Sequence, residues 1–234
     1  GEDARKKEFE LTKENWKGLS PQYKNEYLQK FISKYFKNER DTHFDKAYIK
    51  PKNLRPFVVT PVDKYISSID NFHRPRPKEV YTGNKLLLRR IGSHLNCVYS
   101  NKEDYFDFSV YTIKLANEKN YLLFCALLNS YIVQFFLDFY LRKRLLDSFS
   151  RIGVDDIKEI PIPKDLESDT AIKLSKISDD LTNGLVDYSE VKNELNELVF
   201  DLYELSFLER QRIKDYFIEK KTISVSKNEI GDYI

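Results

Sequence analysis

The run Tyr121–Pro163, YLLFCALLNSYIVQFFLDFYLRKRLLDSFSRIGVDDIKEIPIP, constrains the fold more than any other part of the chain. A long apolar stretch ends in the basic cluster Arg142-Lys143-Arg144. A Phe-Ser-Arg-Ile turn, an acidic element and Ile-Pro-Ile-Pro follow. By length, Tyr121–Leu141 can cross a bilayer. Its polar residues point elsewhere. Ser130, Gln134, Asp138 and Arg142 recur every four positions and form one stripe on a helix running to Arg144. An apolar helix with a continuous polar stripe belongs in a protein core, so no membrane partner is expected.

The segments around this run differ in character. Up to about Asn38 the pattern is helical, with Ser20 as N-cap, Pro21 at the first helical position, and Tyr23, Tyr27, Phe31 and Tyr35 on one face. Prolines 51, 56, 61, 75 and 77 exclude long helices from Ala47 to Pro77. There Phe57–Thr60 is a short strand candidate, and Phe72–Lys78 reads as an extended basic loop. Three runs rich in Val, Ile, Tyr and Phe come next: Lys85–Ile91, Asn96–Ser100 and Phe106–Leu115. They predict a small antiparallel sheet. Val154–Lys158 reads as one helical turn with its acids at the start, which makes Asp155 and Asp156 helix-start residues rather than a catalytic pair.

Beyond Pro163 the chain reads as wholly helical. Ile172, Leu174, Ile177, Leu181 and Leu185 mark one helix; Val191, Leu195, Leu198, Val199, Leu202 and Leu205 mark the next. Asp187 with Glu190, and Ser206 with Glu209, have capping-box spacing. The last helix is expected to stop near Lys220, with a loosely ordered tail after Thr222.

The sequence given carries few marks of chemistry. Its seven glycines are scattered, and no phosphate-binding loop or dinucleotide fingerprint occurs. His43, His73 and His94 stand far apart without Cys or carboxylate at ligand spacing, so no metal site is expected. No serine lies in a nucleophile-elbow context. Cys97 and Cys125 both sit in apolar runs and read as buried thiols of a cytosolic protein.

Charge limits the partner. Lys and Arg number 39 against 37 Asp and Glu, so an anionic partner must meet a local patch rather than a global basic field. The candidate residues for that patch are Arg74, Arg76 and Lys78 in the proline-braced loop, Lys85, Arg89 and Arg90 in or beside the first strand, and Arg142, Lys143, Arg144 and Arg151 at the helix end and the turn after it. On composition alone they also read as ordinary solvated charges. Arg89 and Arg90 differ, because they sit in an apolar run: at least one must face the core or a cleft and find a partner.

Three stretches, in order, carry a family resemblance. They are RPRPKEVYTGNKLLLRRIGSHLNCVYSNKEDYFDFSVYTIKL (Arg74–Leu115), LLFCALLNSYIVQFF followed by FSRIGVDDIKEIPIP, and NELNELVFDLYELSFLERQRIKDYF (Asn193–Phe217). Together they resemble the TaqI-like C-terminal specificity domain of type IIG restriction–modification enzymes and adenine-specific DNA methyltransferases, a relative of type I specificity subunits. The resemblance implies a target-recognition domain whose partners are double-stranded DNA and the methyltransferase domain of a parent protein. The sequence shows no Asn/Asp-Pro-Pro-Tyr motif, no S-adenosylmethionine loop and no nuclease P-D…E-x-K set. The expectation is therefore a recognition portion without catalytic residues or cofactor of its own. S-adenosylmethionine, and Mg where the parent cleaves, belong to the parent's catalytic domains.

The expected architecture is α+β. A helical segment (1–44) precedes a target-recognition domain (45–163) built on a small, mostly antiparallel sheet with packed helices. A helical spacer or docking region (164–221) and a tail (222–234) complete it. The expected location is the prokaryotic cytoplasm. The competing reading is a helical protein–protein docking module.

Overall fold

The structure is a computed structural model that describes residues 5–6, 9–68, 76–90, 95–142 and 152–231, with side chains left out at 140–142 and 220–231. It is α+β. Two helices open it, α1 (Lys13–Gly18) and α2 (Pro21–Tyr35). Thr12 and Ser20 cap them by accepting from the backbone of Asn15 and Tyr23. The proline-rich stretch makes only two-residue strands: β1 (Lys46–Ala47) pairs with β4 (Tyr65–Ile66), and β2 (Leu54–Arg55) with β3 (Val58–Val59), all antiparallel. The β2–β3 turn is Pro56-Phe57. Phe57 takes the left-handed conformation (φ 69°), which a side chain resists, and it is nonetheless buried. Its backbone N–H donates to the Cys97 carbonyl at 2.9 Å, and its ring meets Tyr188 at 5.4 Å. Burial and anchoring hold it where glycine would be conformationally easier.

The main sheet has three antiparallel strands in the order β6-β5-β7: β5 (Lys85–Arg89), β6 (Cys97–Ser100) and β7 (Val110–Ile113). Leu86, Leu87 and Leu88 are all fully buried, because both faces of the central strand are covered. Leu86, Leu88 and Cys97 face the helices; Leu87, Val98 and Val110 face a second core with Phe106 and with Tyr48, Leu54 and Ile66 from the proline-rich layer. The expected strand from Phe106 begins only at Val110. Asp107 accepts from the Ser109 N–H at 2.8 Å and turns the chain first.

The apolar run is two helices, not the single one expected. α3 (Tyr121–Leu128) and α4 (Tyr131–Arg142) are bent by 64°. Asn129 causes the break. Its amide donates to the carbonyls of Cys97 (2.8 Å) and Cys125 (3.0 Å), and its oxygen accepts from the Cys97 N–H at 2.8 Å. The exchange ties the α3 end to strand β6. Ser130 then caps α4 by accepting from Val133. The polar stripe faces inward: Gln134 accepts from Leu95 and donates to Asp138, which also accepts from the Tyr216 hydroxyl at 2.7 Å. Among the described residues no single helix is long and apolar enough to cross a membrane.

The remaining helices are α5 (Val154–Lys158), α6 (Asp169–Thr182), α7 (Tyr188–Leu202) and α8 (Phe207–Gly231). Asp156 caps α5 by accepting from the Gly153 N–H at 2.7 Å, while Asp155 is exposed. Ala171, Leu174 and Leu181 of α6, and Leu195, Val199 and Phe200 of α7, belong to the same core as Leu86, Leu88 and Leu123. The core thus runs across Pro163 without a break. Ile172 and Leu185, assigned to the α6 stripe by sequence, are exposed. α8 starts at the reciprocal Ser206–Glu209 capping box, and its backbone stays helical past the expected stop at Lys220. No proline or glycine interrupts it before Gly231.

Candidate nucleic-acid interface

Among the described residues β7 pairs only with β5, so its other edge is open. Arg76 lies along that edge. Its guanidinium donates to the Val110 carbonyl at 3.3 Å and sits 5.9 Å from the Phe106 ring. An open groove of about 530 Å³ follows the edge, lined by Arg76, Glu79, Thr82, Tyr111, Thr112 and Lys114. Lys114 donates to the backbone carbonyls of Thr82 and Asn84 and is nonetheless exposed. Partial burial, and then the Lys85 charge, lower its pKa. Lys78 stands exposed on the adjoining turn Lys78–Val80.

Arg90 follows β5 and lies beside the start of β7. Its backbone N–H donates to the Ser109 carbonyl at 3.2 Å, and its guanidinium to the Phe108 carbonyl at 3.4 Å. The guanidinium carbon lies 5.9 Å from the Phe108 ring and 5.5 Å from the Tyr111 ring. The Arg90 carbonyl accepts from the Ile152 N–H at 3.2 Å, which ties the chain entering α5 to the same point. Arg76 and Arg90 hold carbonyls and aromatic faces and, among the described residues, no carboxylate. Guanidinium groups held this way keep N–H donors available for an anion. Arg89 is half-buried one residue earlier.

Lys85 leaves the candidate set. It is fully buried, and its ammonium contacts Asp104 at 2.8 Å together with the carbonyls of Lys102 and Gly83. Strand alternation explains it: Lys85 shares a face with Leu87, and that face is covered. Arg74, Lys143, Arg144 and Arg151 lie outside the described residues, as does the side chain of Arg142. The sequence reading also missed three groups. Lys114, Tyr111 and Phe108 were absorbed into one long strand; the Asp-x-Ser turn at Asp107–Ser109 was the available signal.

Among the described residues no group of three or more His, Cys, Asp or Glu side chains gathers at one point. Cys97 and Cys125 are free and buried, and burial pushes the Cys97 thiol well above its ordinary value. Tyr48, buried and hydrogen-bonded to Asp107, is likewise raised.

Residues 46–162, half of the chain, match the TaqI-like C-terminal specificity domain. The chain belongs to this family. No curated protein matches it. The match begins at β1 and ends after α5, so it contains the sheet, the groove along β7 and the Arg90 cluster. Membership makes the chain a DNA-recognition specificity domain of the restriction–modification type. Within the TaqI-like domain, Arg76, Lys78 and Arg90 gather around the open strand, whereas Lys85 supports the sheet from inside. Helices α6 to α8 lie beyond the matched residues and share the core on the face of the sheet that holds Leu86 and Leu88, where Phe57 also packs.

Proposed function

We propose that this chain recognises a specific sequence in double-stranded DNA for a restriction–modification enzyme that methylates adenine. The observation that carries the reading is the position of Arg76 and Arg90, which lack carboxylate partners among the described residues, inside the stretch matched to the specificity domain. Arg76, Lys78 and Arg90, with Arg89, would meet phosphates and fix the register of the duplex. On sequence grounds Arg74, Arg142, Lys143, Arg144 and Arg151 extend the basic set. Base edges would be read from the loops beside β7. Base flipping and methyl transfer from S-adenosylmethionine would be the work of a separate methyltransferase domain, in the cytoplasm of a prokaryote.

Salt titration of duplex binding tests this. Affinity is expected to fall linearly on a log–log plot, with a slope of about −0.9 per phosphate contact. Arg76→Ala and Arg90→Ala should each flatten the slope by about that amount. Undetectable binding of duplex at low salt, or binding insensitive to salt, overturns the proposal. The docking-module reading loses its main support, because the α7 stripe of Leu195 and Val199 is internal core. What remains for it is the exposed pair Phe207 and Leu208 at the start of α8.

A further inference from the structure

Phe108 is held out in water by a turn that is fixed on every side. It lies between the buried Phe106 and Val110, yet 63% of its surface is exposed. The Asp107 carboxylate accepts from the N–H and the hydroxyl of Ser109 and from the Tyr48 hydroxyl. The Asp107 carbonyl accepts from the Val110 N–H at 3.3 Å. From the other side Arg90 binds the carbonyls of Ser109 and Phe108. A lone exposed apolar residue on a mobile loop needs no explanation. Here the bracing prevents the ring from folding down onto its neighbours, so the exposure is built into the turn.

The surroundings say what kind of partner fits the ring. Arg90 flanks it, and its guanidinium has no carboxylate partner among the described residues. Arg76 holds the same strand end through the Val110 carbonyl. The partner must therefore be flat and apolar where Phe108 touches it and anionic at the rim. Bases bordered by phosphates have this character; an apolar protein surface lacks the anionic rim. Phenylalanine serves in this way when it wedges against a base step or packs on a thymine methyl group.

We infer that Phe108 is a base-contacting residue, with Arg90 clamping the neighbouring phosphate. This rests on the reading that the chain binds duplex DNA. Position 108 is exposed, so changing it leaves the core intact. The chain has a single tryptophan, Trp16, and it is buried. A Phe108→Trp variant in a Trp16→Phe background therefore places the only indole at the proposed contact. Its emission should be quenched saturably by a mixed-sequence duplex, because stacking on bases quenches indole. Phe108→Ala should weaken binding by about 5- to 100-fold while leaving the salt slope unchanged, since no phosphate contact is lost. Arg90→Ala should flatten the slope. If the unmodified chain binds duplex but Phe108→Ala binds equally well and the indole emission is indifferent to DNA, this inference alone is overturned. If the unmodified chain fails to bind duplex, both readings fall together.

Discussion

Replacing Lys85 with methionine separates a structural lysine from a DNA contact. The three ammonium N–H groups face three acceptors: the Asp104 carboxylate at 2.8 Å, the Gly83 carbonyl at 3.4 Å and the Lys102 carbonyl. Lys85 is fully buried and the Asp104 side chain is 12% exposed. Removing the ammonium leaves that carboxylate with the Ser100 hydroxyl, at 2.6 Å, as its described donor. Breaking a buried pair from one side costs about 3–5 kcal/mol. For a chain of this size each kcal/mol moves the melting temperature by about 2–4 °C, so Lys85→Met should melt about 6–20 °C lower. Adding Asp104→Leu should restore part of the loss, because the stranded charge is gone. Urea unfolding followed by circular dichroism measures both variants. Duplex binding of the folded Lys85→Met protein should keep its salt slope. A stability loss below about 1 kcal/mol, with a slope flattened by about 0.9, would mean that Lys85 reaches phosphate and that the burial argument is wrong.

Phe57 makes a sharper backbone test. Phe57→Ala and Phe57→Gly lose the same buried ring, but only glycine relieves the φ of 69°, so the glycine variant should be the more stable by about 1–2 kcal/mol in urea titration; the opposite order refutes the strain. Asn129→Ala strands the Cys97 N–H, whereas the Cys97 carbonyl keeps the Phe57 N–H, and should destabilise the fold by about 1–3 kcal/mol in the same assay. The Cys97 thiol, raised by burial, should stay unreactive toward an aromatic disulfide reagent at mildly alkaline pH until denaturant is added; fast labelling of the native chain contradicts that burial. The Asp41 carboxyl is lowered to about 2 by the Lys37 ammonium and by the backbone N–H groups of Phe44 and His43. A depressed carboxylate contributes stability above its unfolded value and loses it as pH falls through the folded one, so its NMR titration midpoint should lie near 2, and a midpoint in the ordinary carboxylate range refutes the contact.

Residues with one local meaning were legible in the sequence. Ser20-Pro21 starts a helix, Ser206 and Glu209 form a capping box, and the alternating runs pair as three antiparallel strands. Errors came where a tertiary bond overrode a local pattern. Ser130, Gln134 and Asp138 read as a stripe on one long helix, but the bonds of Asn129 to strand β6 bend that helix, and the stripe binds Leu95 and Tyr216. Lys85 read as a surface cation because charge alone does not reveal which face of a strand is covered. The candidate interface was half legible. Arg76 and Arg90 stood out as candidates by their settings, a braced loop and an apolar strand. Phe108 was hidden because period-two alternation continues through a turn whose geometry depends on Asp107.

The helices beyond Pro163 hold residues of the matched domain in place. Asn196 of α7 is buried; its oxygen accepts from the Tyr131 N–H at 2.7 Å, and its amide donates to the Lys192 carbonyl at 2.7 Å. It therefore satisfies a first-turn donor of α4, which α4 cannot satisfy itself. Tyr188 of the same helix packs on Phe57 and donates to the Asn129 carbonyl at 3.3 Å. α7 thus grips both the bend in the apolar run and the strained β2–β3 turn. Phe57 and Asn129 both bond Cys97 on β6, which pairs with β5, the strand that ends at Arg89 before Arg90. The basic end of the sheet is therefore positioned by a continuous set of contacts that begins in α7. Asn196→Ala should leave the charge of the interface unchanged and, by stranding the Tyr131 N–H, destabilise the fold by about 1–3 kcal/mol in urea titration; an unchanged midpoint refutes the brace.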